Sequence, residues 1–309
     1  MTSGELFEIR HTDAVVPLGM HLLAGLSGFS DAGSTIEQVS DQIFTTLDHE
    51  LLAVFSNDEL LDYRSRRPVM LFEKDHIADY RPPVLGLYLV TDEAGQPFLY
   101  LHGYEPDFRW EAFAEAIMQL IEVFAVADVT WVHSIPFPIP HSRSVGVTAS
   151  GNRKDLIDDV TEWKPSTQVP GNVLHLIEYR ASQAGIPTIG YVLLVPHYLG
   201  DSEYPVAALS AFQHISAATG LVFSTDTFRD DSAKFFTKLD AQIEENPELA
   251  RMVQSLEQGY QNDVVGPGRA PISKPPAKIP SAEEIAAELE DFLASRRKNA
   301  IEEEGDQLS

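Results

Sequence analysis

Apolar residues follow two alternating rhythms along the chain. Short runs at His21–Leu26, Leu51–Phe55, Pro83–Thr91, Pro97–His102, Val129–Ser134, Val145–Ala149 and Thr188–Val195 have the length and polar borders of buried strands. Between them the spacing lengthens to three and four. Ile36, Val39, Ile43, Phe44 and Leu47 form one such series, and Trp110, Phe113, Ile117, Leu120, Ile121 and Phe124 form another. Gly171–Ala184 and the set Leu209, Phe212 and Ile215 continue the pattern. This spacing places the apolar residues on one face of a helix. Gly185, with Pro187 just beyond it, and Gly220 are predicted helix ends. Ser34 and Glu37 have the spacing of a capping box at the start of the first helix. Pro136, Pro138 and Pro140 are expected to end the strand before them, since proline cannot donate to a ladder.

Strands alternating with helices predict an α/β fold, a sheet covered by helices on both faces. The pattern then changes. Ser232–Glu245 and Pro247–Gly259 are helical in spacing, and five prolines follow between 264 and 280. Ser281–Lys298 reads as a last amphipathic helix, with Ser281 and Glu284 repeating the capping-box spacing, and an acidic tail follows it. The predicted division is an α/β core at 1–230 and a helical appendage at 231–309. The appendage comprises the proline-rich linker at 264–280 and a disordered acidic tail.

Charge narrows the partners. The 309 residues carry 22 basic and 47 acidic side chains, a net charge of −25. Phosphates of nucleic acid and anionic membrane surfaces repel such a chain, and no basic patch offsets this, so neither is expected as a partner. The apolar fraction of 44% suffices for a sizeable core. The chain has no cysteine, which removes disulfides, thiol nucleophiles and cysteine-ligated metals and suits a reducing cytoplasm. The amino terminus lacks the basic and apolar regions of a signal peptide, and no apolar run approaches the ~20 residues that span a bilayer. A cytoplasmic location is expected.

Candidate chemistry is sparse. The turn Gly25–Gly33 joins a strand to a helix and contains Ser27 and Asp31, but its glycines match neither a dinucleotide fingerprint nor a lysine-bearing phosphate loop. Asp31 also puts a negative charge where a phosphate would lie. The turn is read as a tight strand-to-helix connection, with ligand contact through Ser27, Ser30 or its amides as the alternative. Asp58, Glu59 and Asp62 stand beside Arg64, Arg66 and Arg67. The carboxylates could hold a divalent cation, but pairing with arginine is the expected outcome.

Ten histidines show no two-histidine metal spacing, and no metal site is expected. His141 and His197 follow strands, where ligands gather in open α/β sheets, so both could share a crevice with Asp31. A structural, hydrogen-bonded role is the alternative for each. The G-x-S-x-G elbow is absent, so a Ser27/His/Asp31 arrangement has no motif behind it.

Four segments in order carry a resemblance: GLSGFSDAGS from Gly25, NDELLDYRSRRP from Asn57, HSRSVGVTASG from His141 and LVPHYLG from Leu194. Together they resemble the proteasome assembly chaperone family in its bacterial, mainly actinobacterial, branch, over roughly residues 15–260. The resemblance implies a three-layer α/β/α sandwich like that of nucleoside phosphorylases and peptidyl hydrolases, with added C-terminal helices. It implies no catalytic residues and no cofactor. Its motif positions fall on Asp31, Asp58, Asp62, Tyr63, Arg64, His141, Arg143, His197 and Tyr198 as candidate shared-surface residues.

The expected function is therefore that of a non-catalytic binding or assembly protein with a partner related to the proteasome. It is expected to self-associate as a small homo-oligomer, a trimer in the simplest guess, because exposed amphipathic stripes need cover. The alternative is a phosphorylase/hydrolase-like enzyme or small-molecule binder. Its site would lie beyond the strand ends, with Asp31, His141, Arg143 and His197 sharing one ligand.

Overall fold

Period-two alternation divides the apolar residues of each central strand between two cores. Leu22, Ala24 and Leu26 enter one core, as do Leu99, Leu101, Val129 and Trp131. Leu23, Phe98, Tyr100, Val132, Tyr191 and Leu193 enter the other. A sheet filled on both faces must lie between two helical layers.

In the computed structural model, which describes residues 6–10, 15–28, 30–160 and 168–264, that is the arrangement. The strands are β1 (Phe7–Ile9), β2 (His21–Ser27), β3 (His49–Phe55), β4 (Val69–Glu73), β5 (His76–Arg81), β6 (Gly86–Thr91), β7 (Pro97–Tyr104), β8 (Asp128–Phe137), β9 (Gly146–Gly151) and β10 (Thr188–Pro196). The helices are α1 (Thr35–Thr46), α2 (Asn57–Leu60), α3 (Trp110–Val123), α4 (Lys154–Val160), α5 (Val173–Gln183), α6 (Pro205–Thr219), α7 (Asp226–Glu245) and α8 (Pro247–Val264). Eight strands form one sheet in the order β1-β3-β6-β7-β2-β8-β10-β9, and β4 and β5 pair separately.

The centre of the sheet is parallel: β2 pairs in parallel with β7 and β8, and β8 with β10. The flanking pairs β1–β3, β3–β6, β6–β7 and β10–β9 are antiparallel. Phe113, Ile117 and Leu120 of α3 and Val173, Leu174 and Ile177 of α5 cover one face. Ile36, Val39 and Ile43 of α1 and Ala207, Ala211 and Phe212 of α6 cover the other, and Phe228 and Leu239 of α7 join this second core. The fold is thus a three-layer α/β/α sandwich with C-terminal helices, as expected. One compact unit extends to Gln261. The proline-rich linker, the final helix with its capping box, and the acidic tail lie outside the described residues.

Two local expectations are corrected. Ser34 and Glu37 do not form a capping box. Ser34 has a left-handed φ of 47° at the end of a 3-10 turn, and its side chain makes no cap hydrogen bond. Asp31, three residues earlier, reaches the helix instead: its carboxylate accepts from the amides of Ile36 (2.7 Å) and Glu37 (3.0 Å). The prolines also fail to stop β8, which continues through Pro136 to Phe137. Its ladder with β2 ends at Ala24–Trp131, whereas its ladder with β10 runs on to Phe137–Pro196. Past Trp131 the strand has a regular partner on one side only, and an edge position tolerates proline.

Candidate functional site

Because β7, β2, β8 and β10 run in the same direction, their carboxyl ends open onto one rim of the sheet. All the motif segments singled out in the sequence reach this rim, and the structure joins them in two halves.

In the first half, the turn after β2 is bolted to the turn after β10. Gly33 N–H donates to Gly200 O (2.8 Å), and Tyr204 N–H donates to Gly33 O (2.9 Å). Gly33 has φ +72°, and a Cβ there would fall 2.8 Å from that of Tyr204, so this close approach requires glycine. Asp31 Oδ1 also accepts from Ser134 Oγ of β8 (3.1 Å). Burial raises the Asp31 pKa, and the amides of Ile36 and Glu37 and the Ser134 hydroxyl partly counter this. The carboxylate is engaged with the helix start and β8, not with a histidine. Ser27 donates instead to Gly103 O (3.3 Å), so the Ser27/His/Asp31 arrangement is not formed.

His141 and Tyr198 meet in the same half. The Tyr198 oxygen accepts the His141 backbone N–H (2.9 Å) and lies 2.6 Å from Nδ1. Burial lowers the His141 pKa, against an upward pull from Asp240 and Glu257. The next two residues turn toward the C-terminal helices. Ser142 donates to Glu257 of α8 (2.7 Å), and the Arg143 guanidinium lies 5.5 Å from the centre of the Tyr260 ring. Phe236 of α7 packs 6.2 Å from the His141 ring. His197 is exposed, with its ring edge-on to Tyr198 at 5.5 Å.

The second half gathers the charged run after β3 around the end of β7. Asp62 pairs with Arg64 (3.2 Å), a contact that lowers the Asp62 pKa. Most of the remaining partners come from outside the run. Arg66 donates to Glu105 O (2.6 Å) and pairs with Asp107 (3.3 Å), while Asp107 accepts the Asp62 N–H (2.7 Å). Glu59 pairs with Arg109. Tyr63 donates to Asp58 (2.9 Å). Asn57 accepts from the Tyr104 hydroxyl (2.5 Å) and donates to Pro83 O (2.7 Å), fixing the start of the run. This half adjoins the first through β2: Glu105 N–H donates to Ser27 O (2.6 Å), and a Cβ on Gly28 would fall 2.7 Å from Arg66. The expected pairing with a neighbouring arginine is found for Asp62 with Arg64, whereas Glu59 pairs with the distant Arg109 and Asp58 accepts from Tyr63. Among the described residues, no group of three or more His, Cys, Asp or Glu side chains is placed to hold a metal ion.

The sequence profile of the PAC2 family matches residues 25–243. The chain belongs to the PAC2 family. A Corynebacterium glutamicum protein of unknown function is 36% identical, with a TM-score of 0.80 over 84% of this chain and 98% of that one. A Mycobacterium tuberculosis protein of unknown function is also 36% identical, with a TM-score of 0.78 over 85% and 90% of the two chains. A Mycobacterium tuberculosis proteasome-assembly chaperone homologue shares the fold at 18% identity, with a TM-score of 0.69 over 76% of this chain and 100% of that one. No protein of curated function matches the chain. The resemblance carried by the four motifs is borne out, including its actinobacterial branch.

The PAC2 rim thus joins Asp31 to the segment after β10, and His141 to Tyr198. It keeps Asp58, Asp62, Tyr63 and Arg64 in the other half. Sequence reading did not single out Glu105, Asp107 and Arg109, which follow β7, or Ser134, Glu257 and Tyr260. Glu105 and Asp107 flank Pro106 a few residues after the predicted strand Pro97–His102, and that position was the available signal. The contacts of Ser142 and Arg143 with α8 left no pattern in the sequence.

Proposed function

We propose that this PAC2 protein is a non-catalytic binding and assembly protein, active in the cytoplasm as a small homo-oligomer, whose protein partner is related to the proteasome. Its contact surface is the sheet rim, with Ser27, Asp31, Asp58, Asp62, Tyr63, Arg64, His141, Arg143, His197 and Tyr198 as candidate residues. The observation that carries this reading is how the rim's reactive groups are used. Asp31 holds the start of α1, His141 is held by Tyr198, Arg143 lies against Tyr260, and Asp62 pairs with Arg64. Groups held this way give a fixed relief for a partner rather than a set converging on one small ligand. The fold shared with a proteasome-assembly chaperone homologue supports the choice of partner.

The test pairs biochemistry with genetics. Purified chain is mixed with unassembled proteasome α subunits and run on a sizing column, and proteasome assembly is followed in a deletion strain. Co-elution that is lost in a Tyr63→Ala/Arg64→Glu variant, together with accumulating assembly intermediates in the deletion strain, is the expected result. No co-elution with normal assembly in the deletion strain sinks the reading.

A further inference from the structure

Arginines in and beside the charged run are kept paired. Arg64 pairs with Asp62, Arg66 with Asp107 and Arg81 with Asp79. Arg67 is exposed and, among the described residues, makes no ion pair. In a chain with a net charge of −25, carboxylates to answer it are plentiful, so its isolation is informative. Arg67 instead helps to wall an open hollow of about 810 Å³, whose other walls are Tyr63, Pro68, Met70 and Tyr80. The hollow lies between the body of the fold and the β4–β5 hairpin. Tyr63 packs against the core under α3 and α5, while Met70 stands opposite Tyr80 in the hairpin register. Met70 is 51% exposed and Tyr80 49%, so both keep surface free for a ligand. Tyr63 is fixed by its hydrogen bond to Asp58 (2.9 Å). Burial, the Asp58 carboxylate and the Tyr80 phenol push the Tyr63 pKa up to about 12, so this wall is uncharged at neutral pH. No carboxylate is among the five walls.

We infer that this hollow binds a small organic carboxylate with an aryl or acyl body. Its volume falls within the roughly 300–1,000 Å³ of small-molecule sites, and its lining has their character, apolar and aromatic walls with few polar groups. The Arg67 guanidinium matches a carboxylate in a two-pronged, charge-assisted contact. The Tyr63 and Tyr80 rings, Pro68 and the Met70 thioether cover the apolar body. Neither the proteasome partner nor the oligomeric state enters into this assignment.

Charge selects this class over its neighbours. A neutral apolar ligand would take Arg67 out of water with nothing in exchange. A phosphate dianion would leave one negative charge unanswered beside Asp58, which already holds Tyr63. Nucleic acid or an anionic membrane would require a basic excess that one guanidinium does not supply. A carboxylate balances Arg67 charge for charge.

The test uses the full chain and two probes that share one body and differ in charge, 4-phenylbutyrate and 4-phenylbutyramide. Binding is followed by saturation-transfer NMR at neutral pH. The acid should bind, and the amide should bind about tenfold more weakly or worse, the loss of a charge-assisted contact. Arg67→Gln should bring the acid down to the affinity of the amide, and Arg67→Lys, which keeps the charge without the fork, should fall between. Tyr80→Ala should weaken acid and amide by the same factor, because the ring covers the body common to both. Circular dichroism and the thermal midpoint check that each variant is folded. No saturation of the acid at millimolar concentration, equal binding of acid and amide, or full affinity in Arg67→Gln each overturns the site. An unaltered acid affinity in Tyr80→Ala overturns its placement in the hollow. Displacement of the acid by equimolar inorganic phosphate overturns the carboxylate class and leaves a bare anion patch. None of these outcomes bears on proteasome contact, which the co-elution experiment reads separately.

Discussion

β7 and β4 are built from the same kinds of residue and end in opposite environments. Phe98 of β7 is fully buried, while Phe72 of β4 is 65% exposed. Strand propensity does not separate them, since both segments are rich in aromatic and aliphatic residues. The neighbours do. β7 lies between β6 and β2, and helices fill both its faces. β4 has β5 as its sheet partner and no helix against it among the described residues. Apolar sequence therefore creates a demand for cover, and topology decides whether the chain meets that demand itself.

The sharpest way to break this comparison is to empty the buried position. Phe98→Ala is expected to lower the free energy of unfolding by about 3–5 kcal/mol, read by urea denaturation, because the surrounding core collapses only partly around the cavity. A loss below about 1 kcal/mol would mean that β7 is not the packed strand described here.

A second probe uses the polar residue of the same strand. Burial pulls the His102 pKa down to about 4 from 6.5, and its ring stacks on Tyr100 at 5.5 Å. A depressed histidine contributes stability that is present above the unfolded pKa and is lost as pH falls through the folded one. Stability should therefore decline from pH 6.5 to about 4, with His102 accounting for about 3 kcal/mol. Burial also lowers the pKa values of His141, His175 and His214, which steepens the decline. Thermal unfolding across that range should show a shallower slope for His102→Gln, and an unchanged slope would remove His102 from this account.

The smallest effect is expected at the exposed position. Phe72→Ser should change unfolding by no more than about 0.5 kcal/mol when the protein is dilute enough to be monomeric. A loss approaching that of Phe98→Ala would show that the hairpin packs within its own chain.

Much of the fold was legible because its signals are local. The Trp110–Phe124 stripe became α3, Gly220 ends α6 with φ +76°, and Thr188–Val195 lies inside β10. Periodicity and turn chemistry are written within a few residues, and local sterics read them directly. The misreadings have different causes. Asp31 displaced Ser34 as the cap because a 3-10 turn set the entry to α1, whereas Pro136 was admitted because the ladder of β8 with β2, a strand distant in sequence, ends before it. The hairpin at 69–81 was not anticipated, although the apolar run Val69–Phe72 was available in the sequence.

The candidate site divides along the same line. Sequence alone determined the α/β layering, the family, the strong acidity and the motif residues, since composition, spacing and order need no third dimension. Only the tertiary structure decided that Arg66 would answer to Asp107 rather than to its neighbours, that His141 would be held by Tyr198, and that Ser142 and Arg143 would turn to α8. Each of these contacts closes a loop of tens of residues or more. Its geometry is set by where strands end and helices cross, which no local pattern encodes.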